Sequence, residues 1–445
     1  MNKIGYQGWQ GILLVMLAAS LTGCRAEGKD TIQTVETSQI FKPEETVASQ
    51  PPKNLAMPQY PAREYATEEE KWKDRMHRQL GEEFCKATEE FSCKTASQLL
   101  KDEKGNATYS PISLYFALSM AAGGAEGETK AQILKLLEFE EENDLAQSCR
   151  QAYDVFYDIT DGYQLQIASS LWANQKIEMK QPFLDQTQEF YFAEVYKGDF
   201  SLEETKKSMG RWVKEHTGGL IEPSIELDDQ TVLSIMNTIY YYDEWIDKFQ
   251  KEDTKESPFT RSDGTEITCD FMGRNTYSNY KRGDNYTIST LETKNGNVVF
   301  LLPDKGFDVH EFLQSPDYLK EMLKQMDSIG EVEWKIPKFS YGSNFRLEEM
   351  LESFGVTDAF SKEKADFSIM TETQAWFDMV SQETHVGVNE NGIEATAFTE
   401  IALCAGGVLM PQNKISMILD RPFIFLIENH GCPLFIGVCQ EPVQN

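Results

Sequence analysis

Asn389-Glu390-Asn391-Gly392-Ile393-Glu394-Ala395-Thr396-Ala397-Phe398-Thr399-Glu400-Ile401 is the stretch on which the reading of this chain turns. Residues 376–389 before it read as a long strand, and Asn389 to Gly392 read as a turn. From Ile393 onward the odd positions Ile393, Ala395, Ala397, Thr399 and Ile401 are apolar or small, and the even ones are mostly polar, with Phe398 the exception. A period of two is a strand pattern, and an inward face this thin could slide between strands already in place. It could equally be a hairpin partner of the strand before it. Residues 403–412, with Cys404-Ala405-Gly406-Gly407-Val408-Leu409-Met410-Pro411 among them, look like an accessible loop, and a clear strand resumes only near Lys414.

Working outward, helical patterns fill the first third. Leu114, Leu118 and Ala121 share a face that ends at Gly123-Gly124; Ile133, Leu136 and Leu137 lie on the next stripe. Another helix is expected over 202–216, with Met209, Trp212 and Val213 on one side and Gly218-Gly219 stopping it. Later runs at 232–242, 287–291, 298–302, 331–339, 376–388, 414–419, 423–428 and 434–439 are rich in β-branched and aromatic residues. Helices first and strands later, without regular alternation, give an α+β class.

The chain has 445 residues, 40% of them hydrophobic, which suffices for a large core. Forty-two Lys and Arg against 72 Asp and Glu leave a formal charge of −30, which would repel a phosphate backbone, so nucleic acid is not an expected partner. The long apolar run, residues 12–21, is about half of the roughly 20 residues a membrane-spanning helix needs. Residues 1–23 end in Leu21-Thr22-Gly23 before Cys24 and resemble a bacterial lipoprotein signal peptide with Cys24 as the lipid-bearing residue. An ordinary secretory signal is the alternative, and both place the mature chain outside the cytoplasm, on the cell envelope or secreted. Residues 24–65, rich in Thr, Gln, Glu and Pro, read as a flexible tether of ~30 to 40 Å. Residues 66–445 show no further linker or repeat and read as one domain.

The cysteines suggest no disulfide framework. Without Cys24 an odd number remains. Cys85 and Cys93 on a predicted helix would sit about 12 Å apart along its axis, beyond the ~7 Å a bridge allows. Cys432 and Cys439 fall on one strand about 23 Å apart.

Catalytic signatures are missing. None of the five histidines pairs with another at metal-ligand spacing, and no zinc motif, phosphate loop or Gly-x-Ser-x-Gly elbow occurs. Gly123 to Lys130 is glycine-rich, but it carries two carboxylates and reads as a helix-to-helix turn. Cys404 with His385 could be named as a thiol and its base, yet Cys404 reads more simply as a small loop residue. No metal, cofactor or enzymatic activity is expected.

Several segments together resemble the serpin family, over nearly all of residues 66–442. Asn106-Ala107-Thr108-Tyr109-Ser110-Pro111-Ile112-Ser113 is similar to its buried Ser-Pro-x-Ser helix start. Asn237-Thr238-Ile239-Tyr240-Tyr241-Tyr242 with Trp245 is similar to its central-sheet strand and following tryptophan. Ile336-Pro337-Lys338-Phe339, residues 351–360, the hinge-like residues 385–397 and the closing Pro422-Phe423-Ile424-Phe425-Leu426-Ile427 with Pro433-Leu434-Phe435-Ile436-Gly437 follow in family order. The resemblance implies a large central mixed sheet, two smaller sheets, eight to nine helices and an exposed reactive-centre loop. It also implies a monomeric suicide-substrate inhibitor of serine proteases, whose cleaved loop enters the sheet as a new strand and traps the acylated protease. Glu390 and Gly392 would form the hinge turn, and Ile393, Ala395, Ala397 and Thr399 its inward residues. Ile393 stands where the family usually has Thr or Ser, so slower insertion is expected. Ser110, Ser113, Asn237 and His385 would form a buried cluster under the parting strands, with Trp245 capping the opening.

Family spacing places the residue before the scissile bond at Gly406, with Cys404, Ala405, Gly407, Val408 and Leu409 as further candidates. No Lys or Arg occurs from 388 to 411, which disfavours trypsin-like targets; Ala405, Gly406 and Val408 suit an elastase-like pocket. The alternative implied by the family is a non-inhibitory surface binding module, to which Ile393 and the bulky Phe398 point. From outside the family, the signal and tether would also permit a lipoprotein solute receptor, against which the motif series weighs.

Overall fold

Pro111 has no amide hydrogen to lose and a backbone angle already suited to a helix. Ser110 before it caps the start by accepting a hydrogen bond from the Ser113 amide. The resulting helix, Pro111–Gly124, is buried on every side. Leu114, Leu118 and Ala121 are therefore not one stripe facing a core; the helix is itself the core, packed against strands of two different sheets. Its last residue must be glycine, because a Cβ at Gly124 would stand 2.6 Å from Met370 Cε and 2.9 Å from the Phe183 ring.

The computed structural model describes residues 51–59, 67–160, 163–227, 231–324, 326, 328–393 and 414–443. In chain order these form β1 (Lys53–Ala56), α1 (Glu68–His77), α2 (Glu82–Leu100), β2 (Ala107–Tyr109), the central helix α3 (Pro111–Gly124), α4 (Gly127–Leu136), α5 (Glu142–Phe156), β3 (Asp158–Thr160), β4 (Tyr163–Asn174), α6 (Gln181–Phe190), β5 (Glu194–Gly198), α7 (Glu203–His216) and β6 (Leu233–Glu244). Strands then dominate: β7 (Lys255–Thr260), β8 (Glu266–Arg282), β9 (Tyr286–Glu292), β10 (Asn297–Pro303), α8 (Val309–Leu313), α9 (Pro316–Leu323), β11 (Ser328–Pro337), β12 (Phe339–Arg346), α10 (Glu348–Ser353), β13 (Phe377–Val388), β14 (Gly392–Ile393), β15 (Lys414–Ile418), β16 (Phe423–Asn429) and β17 (Cys432–Cys439). The class is α+β, as the order of helices and strands implied.

The central sheet has eight strands, in the order β1-β5-β4-β6-β14-β13-β12 with β3 beside β4. It is mixed: β6 runs antiparallel to β4 and parallel to β13. The remaining nine strands form one continuous sheet, because the seventeen-residue β8 pairs with β7 near its start and with β9 near its end. All twelve residues of β6 are buried. Its inner face rests on α3, and its outer face is covered by α7, whose Met209, Trp212 and Val213 pack on Ala168, Trp172, Met236 and Met379.

One boundary differs from the sequence reading. Lys53–Ala56, inside the stretch assigned to the tether, forms an edge strand antiparallel to β5. Low apolar content concealed it, since backbone pairing with a neighbour asks little of the side chains.

Candidate functional site

Two strands of the central sheet are partners over only part of their length. β6 and β13 pair from Phe377 opposite Leu233 to Glu383 opposite Thr238. Beyond that point β14 stands between them, with Gly392 opposite Glu244 and Ile393 opposite both Asp243 and Val388. Gly392 of the expected hinge turn and Ile393, the first of the expected inward residues, are thus already seated at the mouth of the gap. Gly392 fits because it lacks a side chain: a Cβ there would come within 2.1 Å of the Asp243 carbonyl oxygen and 2.8 Å of Glu244 Cα. Ile393 is 2% exposed and belongs to the main core.

The turn joining β13 to β14 is held from several sides. The Trp245 indole donates to Asn389 O at 2.9 Å, and its backbone amide donates to Asn391 O at 3.0 Å. Trp245 is fully buried against this turn. The Phe249 amide donates to Glu390 O at 3.0 Å, Thr254 Oγ1 donates to the Glu390 carboxylate at 2.9 Å, and Lys338 Nζ approaches it at 3.2 Å. Burial opposes ionisation of Glu390, but its own backbone amide, Thr254 and Lys338 together outweigh it and lower the carboxyl pKa from its ordinary value. A cleft of about 570 Å³ opens beside this turn, lined by Lys251, Thr254, Lys338, Ser340 and Glu390 among others.

Beneath the parting strands lies a buried polar cluster. Ser113 Oγ donates to Asn237 Oδ1 at 2.9 Å. Gln382 donates from Nε2 to Asn237 Oδ1 (2.9 Å) and to Ser110 O (2.8 Å), and its Oε1 accepts from the Ser110 amide (2.8 Å). Thr384 Oγ1 adds a bond to Thr108 O at 2.8 Å. Ser110, Ser113 and Asn237 are brought together, but His385 does not join them. Side chains alternate along a strand; Gln382 and Thr384 point inward, and His385 points outward, with its Nε2 3.2 Å from Ser340 Oγ. Gln382 takes the place assigned to the histidine. Strand parity counted from the hinge could have found it, whereas residue type pointed to His385. Asn237 Nδ2 is buried without a partner among the described residues.

The outer side carries a second attachment that sequence reading did not mark. Glu194 on β5 is 2% exposed and receives the Trp212 indole N–H at 3.1 Å and His216 Nε2 at 2.9 Å, both from α7. His216 Nδ1 lies 2.8 Å from Trp212 O. Both ring nitrogens therefore face acceptors, an arrangement that favours the protonated ring. Burial works against that charge, but Glu194 outweighs it and raises the His216 pKa. Thr238 Oγ1 donates to His216 O at 3.4 Å, tying the same helix end to β6.

Cys24, Ala395, Ala397, Thr399, Cys404, Ala405, Gly406, Gly407, Val408 and Leu409 lie outside the described residues. Among the described residues there is no cluster of side chains suited to a metal ion.

Comparison with known proteins gives a consistent picture. The family described as Serpin (serine protease inhibitor) matches residues 86–442. Serpin B6 of Pongo abelii is 30% identical, covering 79% of this chain and 97% of that protein. A serpin-like protein of Methanosarcina acetivorans is 29% identical, covering 78% of this chain and 84% of its own length. Among solved structures, the thermophilic serpin tengpin in its native state superposes with a TM-score of 0.75 at 26% identity, covering 88% of this chain and all of that one.

Proposed function

The chain belongs to the serpin family, a family of protease inhibitors, and we propose that it inhibits elastase-like serine proteases by trapping them as acyl-enzymes through loop insertion. The observation that carries this reading is the partial pairing of β6 with β13, with Gly392 and Ile393 between their upper ends. A strand already begun can be continued: successive residues entering the gap would add ladder bonds alternately to its two edges. At a net 0.5 to 1.5 kcal/mol per hydrogen bond plus apolar burial, ten to fourteen residues would release on the order of 10 to 20 kcal/mol. At about 3.3 Å per residue the inserted strand would carry an attached protease roughly 45 Å along the sheet. The protease supplies the nucleophile; this chain is not an enzyme but supplies the bait and the conformational change. The burial of Ile393 supports an inhibitory rather than a non-inserting loop, because an apolar first inward residue is already accommodated.

The target class follows from the absence of Lys and Arg between 388 and 411 and from the small residues Ala405, Gly406 and Val408. The signal-like residues 1–23 with Cys24 support a lipid-anchored, extracytoplasmic monomer that meets its proteases outside the cell. Incubation with pancreatic or neutrophil elastase, followed by boiling in SDS, is the test. A persistent covalent complex is expected, with the released fragment beginning after one of residues 404–409. Clean cleavage with no complex overturns the reading.

A further inference from the structure

Cys85 and Cys432 are far apart in the chain, yet they meet where α2 packs on β17. Cys432 opens β17 and is fully buried, while Cys85 is partly open to solvent. Thr88, one turn along α2 from Cys85, has its Oγ1 3.4 Å from Cys432 Sγ, so this face of the helix is turned onto that sulfur. Cys85, one turn before Thr88 on the same helix, packs against the core on the side that meets β17. Cys149 and Cys93, by contrast, are both fully buried in the core. We propose that Cys85 and Cys432 are a redox pair, which closes into a disulfide joining α2 to β17 when the chain meets a small-molecule disulfide.

The division of labour within the pair follows from its surroundings. Cys85 is the thiol that solvent reaches, and the neighbouring Cys432 thiol lowers its pKa from the usual thiol range against the opposing effects of burial and Glu89. The Cys85 thiol and burial raise that of Cys432. Cys85 is thus the attacking thiolate and Cys432 the resolving thiol. Cys85 Sγ attacks one sulfur of the external disulfide, whose S–S bond breaks to release a thiolate and leave a mixed disulfide on Cys85. Cys432 then gives up its proton and attacks Cys85 Sγ, expelling the second external thiolate. Two protein thiols are oxidised to one disulfide, and one external disulfide is reduced to two thiols. Neither α2 nor β17 belongs to the parting sheet, so the link stiffens the scaffold without crossing the gap between β6 and β13. It closes nearly the whole domain into one loop, the situation in which a crosslink constrains the unfolded chain most.

The experiment compares the full chain reduced with dithiothreitol and equilibrated with oxidised glutathione. Peptide mass mapping is expected to find the Cys85 and Cys432 peptides joined with the loss of two hydrogens. The oxidised form should melt about 5 °C higher. That oxidised-minus-reduced difference should vanish in C85S and C432S and persist in C93S. Glutathione remaining on Cys85 with no joined peptide, linkage between other cysteines, or equal melting of the two forms would each overturn the proposal.

Discussion

Replacing Ile393 with aspartate places a carboxylate at the mouth of the gap, directly opposite Asp243. Asp243 is itself buried, and its pKa is pushed up to about 6, chiefly by that burial. Two outcomes compete. If β14 stays seated, a second carboxylate must be buried beside the first, at a cost of several kcal/mol or more. If β14 leaves the sheet, the loss is the burial of one isoleucine, about 2 to 3 kcal/mol, and a few ladder bonds of about 1 kcal/mol each. Expulsion is the cheaper course, so the loss of stability is capped near 4 to 5 kcal/mol. Trp245 reports it directly, since its indole and amide bond to Asn389 and Asn391 in the turn that would move. The expected result for Ile393→Asp is a urea midpoint lowered accordingly, a shifted Trp emission in the native state, and elastase cleavage without an SDS-resistant complex. Ile393→Val should keep all three properties of the parent. An Ile393→Asp protein that unfolds within 1 kcal/mol of the parent and forms complex in equal yield would refute the reasoning.

Gln382→Ala removes three hydrogen bonds under the parting strands and leaves the Ser110 amide without its partner; a loss of about 3 to 5 kcal/mol is expected in urea unfolding, and a loss under 1 kcal/mol would contradict the cluster's structural role. Glu383, at the last β6–β13 pair, has its pKa raised to about 7 by burial alone. The folded state keeps this proton up to about pH 7 while the unfolded chain loses it near 4.5, so stability falls across that window and is level above it. Glu383→Gln should therefore match the parent at pH 4 and exceed it by about 1 to 2 kcal/mol at pH 8, after allowance for the carboxyl's partial access to water; equal denaturation curves at pH 8 would count against it.

How far the sequence could be read depended on what each segment had to signal. α7 was legible because Met209, Trp212 and Val213 form a one-sided stripe, and β6, β13, β16 and β17 because β-branched and aromatic residues run through them. β4 was not: Tyr163–Asn174 contains Gln164, Gln166, Ser169 and Ser170, and it is covered on both faces, so neither alternation nor a plain apolar run marks it. β8 escaped for the opposite reason, being largely polar and open to solvent. At the site, the turn from Asn389 to Gly392 and its neighbour Trp245 followed from motif order. The exchange of His385 for Gln382 depended on which face of a strand each residue occupies. Contacts such as Lys338 with Glu390, His216 with Glu194 and Cys85 with Cys432 join distant segments, and no local pattern announces them.

The borders of the central sheet have a bearing on how such a molecule survives at high concentration. A sheet with a vacancy in its middle would be hazardous if its margins were equally receptive, since neighbouring molecules could add to it side by side. At one margin β1 is four residues long, begins with exposed Lys53 and carries a register irregularity between Asn54 and Ala56, three features that discourage a stranger from docking there. At the other, Ser340 of β12 already gives its amide to Val443 near the carboxyl end of the chain. These features disfavour pairing at the margins, while the threshold of the central gap is occupied by the chain's own Gly392 and Ile393.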